Sequence, residues 1–345
     1  MSGMEALSLR EIEDQARHRL DPAVYDFFAG GAGDEVTVRA NEAAFAGIGL
    51  VPRVLRGGGP RELAVTLLGH RAALPVMVAP TAFHRLAHPD GELATARAAA
   101  KAGVVMVVSM ASTVAVEEVA ETGAELWFQL YIQPDLGFTE HLVRRAEAAG
   151  CSALVVSVDS PVFGRRERDL RNGFLDLPRG MACAHMDGRP IGFRSDLSWD
   201  HVDWLRSVSR LPIVLKGVVH PKDARVAVGC GIDALAVSNH GGRQLDTVPA
   251  TVELLPQVAD AVGGTVPLLL DGGVRRGTDV VKALALGAEA VGIGRPVLWG
   301  LAVDGEDGVA RVLDMLRAEL DLALALCGCR SPGDVGPDLI WGKPC

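Results

Sequence analysis

The chain has 345 residues, 49% of them hydrophobic, which is enough for one large domain with a sizeable core. Its formal net charge of −9 argues against a nucleic-acid partner, which would need a basic face. No apolar run approaches the roughly 18 residues of a membrane helix, and the start of the chain lacks the layout of a signal peptide. We therefore expect a soluble, cytoplasmic protein without a membrane partner.

Six cysteines are scattered along the chain. Cys327 and Cys329 are separated by one residue, whereas zinc motifs usually have two or more between their ligands. The histidines show no metal-site spacing either. We expect reduced, mostly buried thiols and no metal site.

Residues 5–30 have apolar positions three and four apart, which predicts a helix that ends before the glycine-rich segment 30–33. From residue 74 a unit recurs, consisting of an apolar strand, a polar or glycine turn, and an amphipathic helix closed by glycine. The eight predicted strands cover 74–79, 104–108, 125–130, 153–158, 212–217, 232–238, 266–271 and 290–294. This alternation predicts an α/β fold, a (β/α)8 TIM barrel with an N-terminal helical flank.

The punctuation of the chain supports the same fold. Five glycines each follow a helical pattern and precede a predicted strand, where a left-handed helix cap belongs: Gly103, Gly123, Gly150, Gly231 and Gly287. The connection after the fourth strand, about 159–211, is far longer than the others and predicts a functional lid or a disordered loop. We expect a single domain over 1–345, with a flank at 1–73, the barrel at about 74–300 and a C-terminal helix at 306–328.

Two glycine-rich loops follow the last two predicted strands, at 271–277 (DGGVRRG) and 292–296 (GIGRP). Loops at these places form the common phosphate site of this barrel, because glycine exposes backbone N–H groups and arginine matches a dianion. The alternative is two ordinary glycine turns with surface arginines. No G-x-G-x-x-G motif opens an early βαβ unit, so one cradle predicts a mononucleotide and not a dinucleotide.

The segment 238–246, SNHGGRQLD, follows the sixth predicted strand at its carboxyl end, where α/β barrels keep their chemistry. His240 and Arg243, with two glycines between them, can aim a proton acceptor and a fixed cation into one small volume. The pattern indicates a base beside an anion clamp. An isolated HGGR would be better interpreted as a polar turn with a hydrogen-bonded histidine.

SNHGGRQLD resembles the signature of the FMN-dependent α-hydroxy-acid oxidases and dehydrogenases, the family of glycolate oxidase, lactate oxidase and mandelate dehydrogenase, and the similarity extends through nearly the whole chain. The resemblance implies FMN as cofactor. It also implies oxidation of an (S)-2-hydroxy acid to the 2-keto acid, with reduced flavin reoxidised by O2 or another acceptor. Family members are often tetramers, so we expect a homo-oligomer.

The resemblance also implies which residues bind the cofactor. They are Pro80, Thr81, Ala82, Ser109, Gln129, Ser157, Lys216, Ser238, Asp271, Gly273, Arg275, Gly294 and Arg295. Arg275 and Arg295 should meet the phosphate, and the cation of Lys216 would favour the charge that reduction deposits on the flavin. Lys216 could instead be the Schiff-base nucleophile of a phosphate-binding aldolase or isomerase without flavin, which leaves the HGGR segment unexplained.

The same resemblance implies the substrate groups. Arg166 and Arg243 should grip the carboxylate, Tyr131 should donate a hydroxyl near the reacting oxygen, and Asp159 should pair with His240. An ionised Asp159 would stabilise the imidazolium, so that His240 can take a proton from the hydroxy acid and hold it. Removal of the hydroxyl proton with hydride transfer and removal of the α-proton as a carbanion both fit this arrangement.

Two pocket positions depart from many relatives. Phe27 stands where a second tyrosine is common, so one hydrogen bond to the carboxylate is missing, at a cost of about 1.5–3 kcal/mol unless it is compensated. Ala111 stands where glycolate oxidases place a tryptophan, which opens the pocket. The pair resembles the bacterial 4-hydroxymandelate oxidases and favours a bulky, aromatic 2-hydroxy acid.

Overall fold

The computed structural model describes residues 6–56, 59–174 and 176–342. A short antiparallel hairpin of β1 (Val65–Leu67) and β2 (His70–Ala72) precedes a closed barrel of eight parallel strands. The barrel strands are β3 (Val76–Val78), β4 (Met106–Ser109), β5 (Leu126–Leu130), β6 (Ala153–Ser157), β7 (Ile213–Lys216), β8 (Ala234–Val237), β9 (Leu268–Asp271) and β10 (Ala290–Ile293). β10 pairs with both β9 and β3, which closes the ring. The predicted (β/α)8 fold is confirmed.

All eight predicted strands are present, and several begin one or two residues after the predicted start. The predictions 74–79, 212–217 and 266–271 each include a proline near their start, and the observed strand begins after it. Proline has no N–H group to donate to the ladder, so it cannot extend the strand at that end.

Each barrel strand is buried on both faces, as a parallel sheet requires. Outward side chains such as Val78 and Phe128 pack in the core between the barrel and its helices. Inward side chains such as Met77, Val105 and Trp127 form a second buried cluster, and Leu67 of the hairpin packs into it. The amino end of the barrel is therefore filled with apolar side chains.

Helices surround the barrel, and the first three precede it in the chain. They are α1 (Leu9–Arg19), α2 (Pro22–Ala29), α3 (Val36–Ala46), α4 (Gly91–Ala102), α5 (Val116–Ala120), α6 (Leu136–Ala148), α7 (Glu167–Arg171), α8 (Trp199–Val208), α9 (Pro221–Gly229), α10 (Thr251–Val262), α11 (Gly277–Ala285) and α12 (Arg295–Cys327). None of the described helices combines the length and the apolar character needed to cross a bilayer.

The prediction of one continuous helix over 5–30 is wrong for the described residues. Two helices, α1 and α2, cover the segment, and the break falls at Leu20 and Asp21. The side chain of Asp21 caps α2 by accepting the N–H of Ala23 at 2.9 Å, and Pro22 occupies the first turn, where its missing N–H costs nothing. The apolar spacing continues across the break, so it conceals this start signal.

The predicted C-terminal helix at 306–328 is the second part of the longer helix α12. The first part begins at Arg295, directly after β10, and the two parts meet at a kink where Asp304 and Gly305 leave helical geometry. The helix ends at Gly328, which has the left-handed φ of 74° that a glycine cap adopts.

The five predicted cap glycines all have positive φ, from 67° at Gly103 and Gly231 to 110° at Gly287. The long connection after β6 contains two helices, α7 and α8, among its described residues. Gln133 exchanges two hydrogen bonds with the backbone of Gly192, at 2.9 and 3.0 Å, which fixes this segment to the loop after β5. The connection is a covering segment built on the carboxyl end of the barrel.

Candidate active site

A cavity lies at the carboxyl ends of the barrel strands, with about 1350 Å³ of space between protein atoms when its open mouth is included. Its walls come from the loops after the strands, from α2 and from the long connection after β6. All the predicted site residues line it except Asp159 and Ser238. These two lie behind the wall, where Asp159 bonds to His240 and Ser238 bonds to Lys216. The fold therefore brings the predicted residues together.

One wall carries an amide flanked by two hydroxyl groups. The strand register places Ser109 beside Gln129 and Ser157 beside Lys216. The Gln129 amide accepts a hydrogen bond from Ser109 at 3.1 Å and donates one to Ser157 at 3.2 Å. The three side chains are thus held as a polar edge that can exchange hydrogen bonds with a flat heteroaromatic ring.

Lys216 is a buried cation at the end of β7. Its Nζ donates to the Ser238 hydroxyl at 2.9 Å and lies 3.2 Å from the carboxylate of Asp271, to which Ser238 also donates at 2.6 Å. Burial lowers the pKa of Lys216, but the charges of Asp271 and Asp159 outweigh burial and raise it. A Schiff-base lysine needs a lowered pKa, so this environment disfavours the aldolase alternative.

The two predicted glycine loops both contribute to the cavity wall. Gly272 and Gly273 have φ of 103° and 87°, a region that glycine adopts without strain. A Cβ atom on Gly294 would lie 3.2 Å from Cγ2 of Thr81, so a side chain there would crowd the loop after β3. Nη2 of Arg275 donates to the carboxylate of Glu42 at 2.7 Å. Glu42, on α3, was not predicted to be near the cradle.

Arg295 has a second task that the sequence did not indicate. Its Nε, Nη1 and Nη2 donate to the carbonyl groups of Phe28, Gly241 and Gly30 at 3.0, 3.0 and 2.9 Å. A guanidinium has five N–H donors, so two remain for an anion. Burial, reinforced by repulsion from Arg275, lowers the pKa of Arg295 to about 10. The side chain ties α2 to the loop that carries His240.

His240 follows β8 and has a φ of 57°, which is unusual for a residue with a side chain. Its Nδ1 lies 3.0 and 3.2 Å from the two carboxylate oxygens of Asp159, and its Nε2 lies 3.3 Å from the hydroxyl of Tyr131. An ionised carboxylate can accept hydrogen bonds but cannot donate them. Nδ1 of His240 therefore carries the hydrogen, and Nε2 is the proton acceptor.

The charges around His240 favour this arrangement. Burial would raise the pKa of Asp159, but the charge of His240 and its hydrogen bond, with the charge of Lys216, lower it to about 2. Burial and then the Asp159 charge raise the pKa of Tyr131 to about 12. At neutral pH Asp159 is therefore ionised and Tyr131 is neutral. The carboxylate can stabilise an imidazolium at His240, and the phenol can donate a hydrogen bond.

Two buried guanidinium groups lie in the same cavity. Arg166 is 9% exposed, its Nε lacks a hydrogen-bond partner among the described residues, and its Nη1 is 3.7 Å from Asp169. Nη1 of Arg243 donates to the carbonyl groups of Phe27 and Gly30. Burial, followed by repulsion from Arg166 and Arg295, lowers the pKa of Arg243 well below its usual range. A bound anion would offset this uncompensated positive charge.

Comparison with known proteins agrees with this geometry. The family model for FMN-dependent dehydrogenases matches residues 16–342. The chain belongs to this family. It is 47% identical to glycolate oxidase 3 of Arabidopsis thaliana, over 99% of this chain and 98% of the relative, and 48% identical to L-lactate oxidase of Nostoc sp., over 95% and 96%.

Solved structures of mandelate oxidase superpose on the chain. The structure with benzoylformic acid has a TM-score of 0.93 at 44% identity, and the structure with (S)-2-phenylpropionate has a TM-score of 0.92 at 45% identity. Each comparison covers 97% of this chain and 98% of the other.

The residues present fit the family's cofactor, FMN. The cavity offers a polar edge with a buried cation, Lys216, for a heteroaromatic ring, and a glycine-lined end with Arg275 for a phosphate. A side chain would crowd Thr81 at Gly294 and the backbone of Asn41 at Gly273, so both loops keep glycine and leave their backbone N–H groups open to the cavity. Both parts of a mononucleotide flavin therefore have matching groups in this member of the family.

Aromatic residues that the sequence analysis missed complete the pocket. Phe83, Phe163 and Phe193 line the cavity beside the predicted residue Phe27. Phe193 packs edge-on against Tyr131 at 5.3 Å and against Phe163 at 5.5 Å, and the Arg166 guanidinium lies 4.0 Å from the centre of the Phe163 ring. For Phe163 and Phe193, the signal in the sequence was an apolar aromatic residue in a connection otherwise rich in arginine, glycine and proline.

Proposed function

We propose that the protein uses FMN to oxidise a bulky, aromatic (S)-2-hydroxy acid to the 2-keto acid. The observation that carries this proposal is the placement of two buried guanidinium groups, Arg166 and Arg243, in the same cavity as the His240–Asp159 pair. A carboxylate held by the arginines would bring the adjacent hydroxyl-bearing carbon to the base. When bound, FMN supplies the acceptor for the two electrons of the oxidation.

His240 is assigned to proton removal. Nε2 faces the cavity as an acceptor, and the buried carboxylate of Asp159 stabilises the imidazolium that forms. Tyr131 donates a hydrogen bond from its hydroxyl, since a pKa of about 12 keeps the phenol neutral. The same base serves a hydroxyl proton or an α-proton, so both routes remain compatible with these roles.

The arginines are assigned to the substrate carboxylate. Arg243 uses Nη1 on two carbonyl groups, which leaves Nε and Nη2 for a ligand among the described contacts. Arg166 brings a buried Nε without a partner. Guanidinium groups match a carboxylate in a bidentate manner, which fixes the orientation of the substrate as well as its charge.

The pocket beside these groups favours a ring. Ala111 is small, and Phe27, Phe83 and Phe193 are apolar. A phenyl group bound there would gain about 25 cal/mol of binding free energy for each Å² of apolar surface that it buries. The structural neighbours named mandelate oxidase support the same class, whereas the relatives named glycolate oxidase and L-lactate oxidase are named for smaller acids. The names of these relatives also favour O2 as the electron acceptor.

The test is anaerobic mixing of the yellow enzyme with substrates while the flavin absorbance is followed. We expect (S)-mandelate to bleach the flavin rapidly, and its methyl ester, which keeps the ring and hydroxyl but lacks the carboxylate, to bleach it at least about 100-fold more slowly. Equal rates for acid and ester would refute the clamp assignment, and failure of every 2-hydroxy acid to bleach bound FMN would refute the proposed reaction.

We further propose that the enzyme is a homo-oligomer that works in a reducing compartment such as the cytoplasm. The described cysteines Cys151, Cys183, Cys230, Cys327 and Cys329 are all free thiols. One relative, from Oryza sativa, is named a peroxisomal (S)-2-hydroxy-acid oxidase, so the compartment needs its own test. Light scattering of the purified protein would give its oligomeric state, and fractionation of the source cells would give its compartment.

A further inference from the structure

A cluster of buried polar groups behind the flavin slot takes no part in the function proposed above. It contains His84 and Glu92, each 1% exposed, and Thr95, which is fully buried. The cluster touches the cavity through Thr81, which lies in the loop after β3 and lines the slot. Buried polar groups of this kind are costly unless each is satisfied, so their arrangement needs a physical reason.

His84 joins two threonines through its two ring nitrogens. Nε2 lies 2.6 Å from Oγ1 of Thr81, and Nδ1 lies 2.9 Å from Oγ1 of Thr95. The Thr95 hydroxyl also contacts the carbonyl of Gly91 at 3.5 Å, and a carbonyl can only accept. With Thr95 donating to Gly91, Nδ1–H donates to Thr95 and Nε2 accepts the hydrogen of the Thr81 hydroxyl; in the other tautomer Nε2–H donates to the same hydroxyl. The hydrogen bond between Nε2 and Thr81 is kept in both.

Burial lowers the pKa of His84, which agrees with a neutral ring that has one donor and one acceptor nitrogen. Glu92 fixes the same turn from the other side. Its carboxylate accepts the backbone N–H of His84 at 3.1 Å, the backbone N–H of Thr113 at 2.9 Å and the Thr113 hydroxyl at 2.6 Å. The turn that carries His84 is thereby attached to the loop after β4, in which Ala111 lies.

The side-chain orientation of Thr81 follows from these contacts. With its hydroxyl directed at His84, its methyl carbon Cγ2 faces Gly294, where a Cβ atom would come within 3.2 Å. Without His84 the Thr81 hydroxyl would lose this buried partner, and Thr81 could rotate its polar atom into the narrow space beside Gly294. The apolar lining of the slot at this point therefore depends on His84.

We propose that His84 is a positioning residue for FMN binding, because the hydrogen bond between its Nε2 and the Thr81 hydroxyl holds the methyl group of Thr81 against the glycine loop. The inference rests on the assignment of Thr81 to the cofactor slot. It gives a structural reason for the burial of His84 and Glu92, to which the proposed reaction assigns no proton transfer.

A double-mutant cycle tests the proposal with a readout that needs no turnover. The variants are His84→Leu, Thr81→Val and the double variant, and the measurement is the FMN dissociation constant of the diluted holoenzyme from free-flavin fluorescence. We expect His84→Leu to weaken FMN binding about three- to tenfold, the effect of one lost hydrogen bond. In the Thr81→Val background, which has no hydroxyl to direct, the same change should have little effect.

Additive losses in the cycle would overturn the proposal, because they would mean that His84 acts through packing and not through Thr81. His84→Gln keeps an acceptor oxygen and should restore most of the affinity; binding as weak as that of His84→Leu would also contradict it. The matched control is His185→Leu, since His185 is equally buried and bonds to the backbone of Met110 and Val116. It should lower the melting temperature without the coupling to Thr81→Val.

The outcome is separable from that of the proposed function. If the parent enzyme binds FMN and (S)-mandelate bleaches it, the reaction stands whatever the cycle gives. If the cycle is non-additive but no hydroxy acid bleaches the flavin, the positioning role stands and the assigned substrate class fails.

Discussion

Asn41 and Asn239 exchange two hydrogen bonds through their side-chain amides, at 2.9 and 2.8 Å, although 198 residues separate them in the chain. Asn41 lies on α3 in the N-terminal flank, and Asn239 directly precedes His240. Both are buried, and Asn41 also accepts the backbone N–H of Thr251 at 3.3 Å. The flank is thus part of the support of the loop in which His240 holds its left-handed backbone conformation.

Asn41→Ala should destabilise the protein and lower turnover together. It leaves the buried Oδ1 of Asn239 without its donor, which costs about 1–3 kcal/mol, and it frees the backbone beside His240. The measurement is urea unfolding of the holoenzyme alongside kcat for (S)-mandelate. The double variant Asn41→Ala with Asn239→Ala removes both partners, so its loss of unfolding free energy should be smaller than the sum of the two single-variant losses. A loss equal to that sum would show that the pair is not coupled.

His240→Ala should retain FMN and lose most of its reductive activity. The residue is assigned to proton removal, a role worth about 10²–10⁴-fold, and it makes none of the contacts assigned to the phosphate end. Flavin content is read from the absorbance of the purified variant, and the reduction rate from anaerobic stopped flow with (S)-mandelate. Reduction at the parent rate would remove His240 from the mechanism.

Asp159 should give the parent enzyme a pH-dependent stability that Asp159→Asn lacks. The folded pKa is about 2, below the usual 3.8, so the stabilisation is present above pH 4 and is lost as the pH falls toward 2. Between pH 5 and pH 3 the free energy of unfolding should fall by about 1 kcal/mol more in the parent than in the variant. Parallel curves in urea titrations at the two pH values would contradict the lowered pKa.

Glu42→Gln should tighten FMN binding, most clearly at low ionic strength. The Glu42 carboxylate lies 2.7 Å from Nη2 of Arg275 and places a negative charge beside the end assigned to the phosphate. The matched control is Glu319→Gln, because Glu319 pairs in the same way with the neighbouring Arg276 at 2.6 Å, and neither of these two lines the cavity. Weaker FMN binding in Glu42→Gln would instead mean that Glu42 orients Arg275.

Ala111→Trp should reverse the preference for aromatic acids. The parent should show a higher kcat/KM for (S)-mandelate and 4-hydroxymandelate than for glycolate, because a ring can recover binding energy in the pocket and glycolate has no side chain to bury. A tryptophan at position 111 would fill that space and penalise the aromatic acids most. The pocket assignment is wrong if glycolate leads in the parent, or if the ranking is the same in the variant.

The features that the sequence predicted are those with local signals. Apolar runs bounded by glycine located the eight strands, and polar residues at their carboxyl ends located the cavity wall, since parallel strands deliver those ends to one place. The support of the site had no such signal. Asn41, Glu42 and Arg295 act through contacts with residues that lie more than 50 positions away in the chain, which spacing alone cannot reveal.

The covering segment shows a second limit. Phe163 and Phe193 belong to a connection without the regular spacing of a helix or strand, so their position over the pocket depends on tertiary contacts such as those of Gln133 with Gly192. Similarly, the break between α1 and α2 was hidden because apolar spacing continued through Asp21, although Asp21 and Pro22 are a recognised helix start.

The apolar filling of the barrel's amino end, completed by Leu67 of the hairpin, gives the cavity a closed floor. The hydroxy acid must enter and the keto acid must leave on the same side, past the covering segment. Since both carry the carboxylate that is assigned to the arginines, a departing product would occupy the route and the site of the next substrate. Accumulating keto acid should therefore slow the enzyme as a competitive inhibitor, so sustained turnover depends on a following reaction that consumes it.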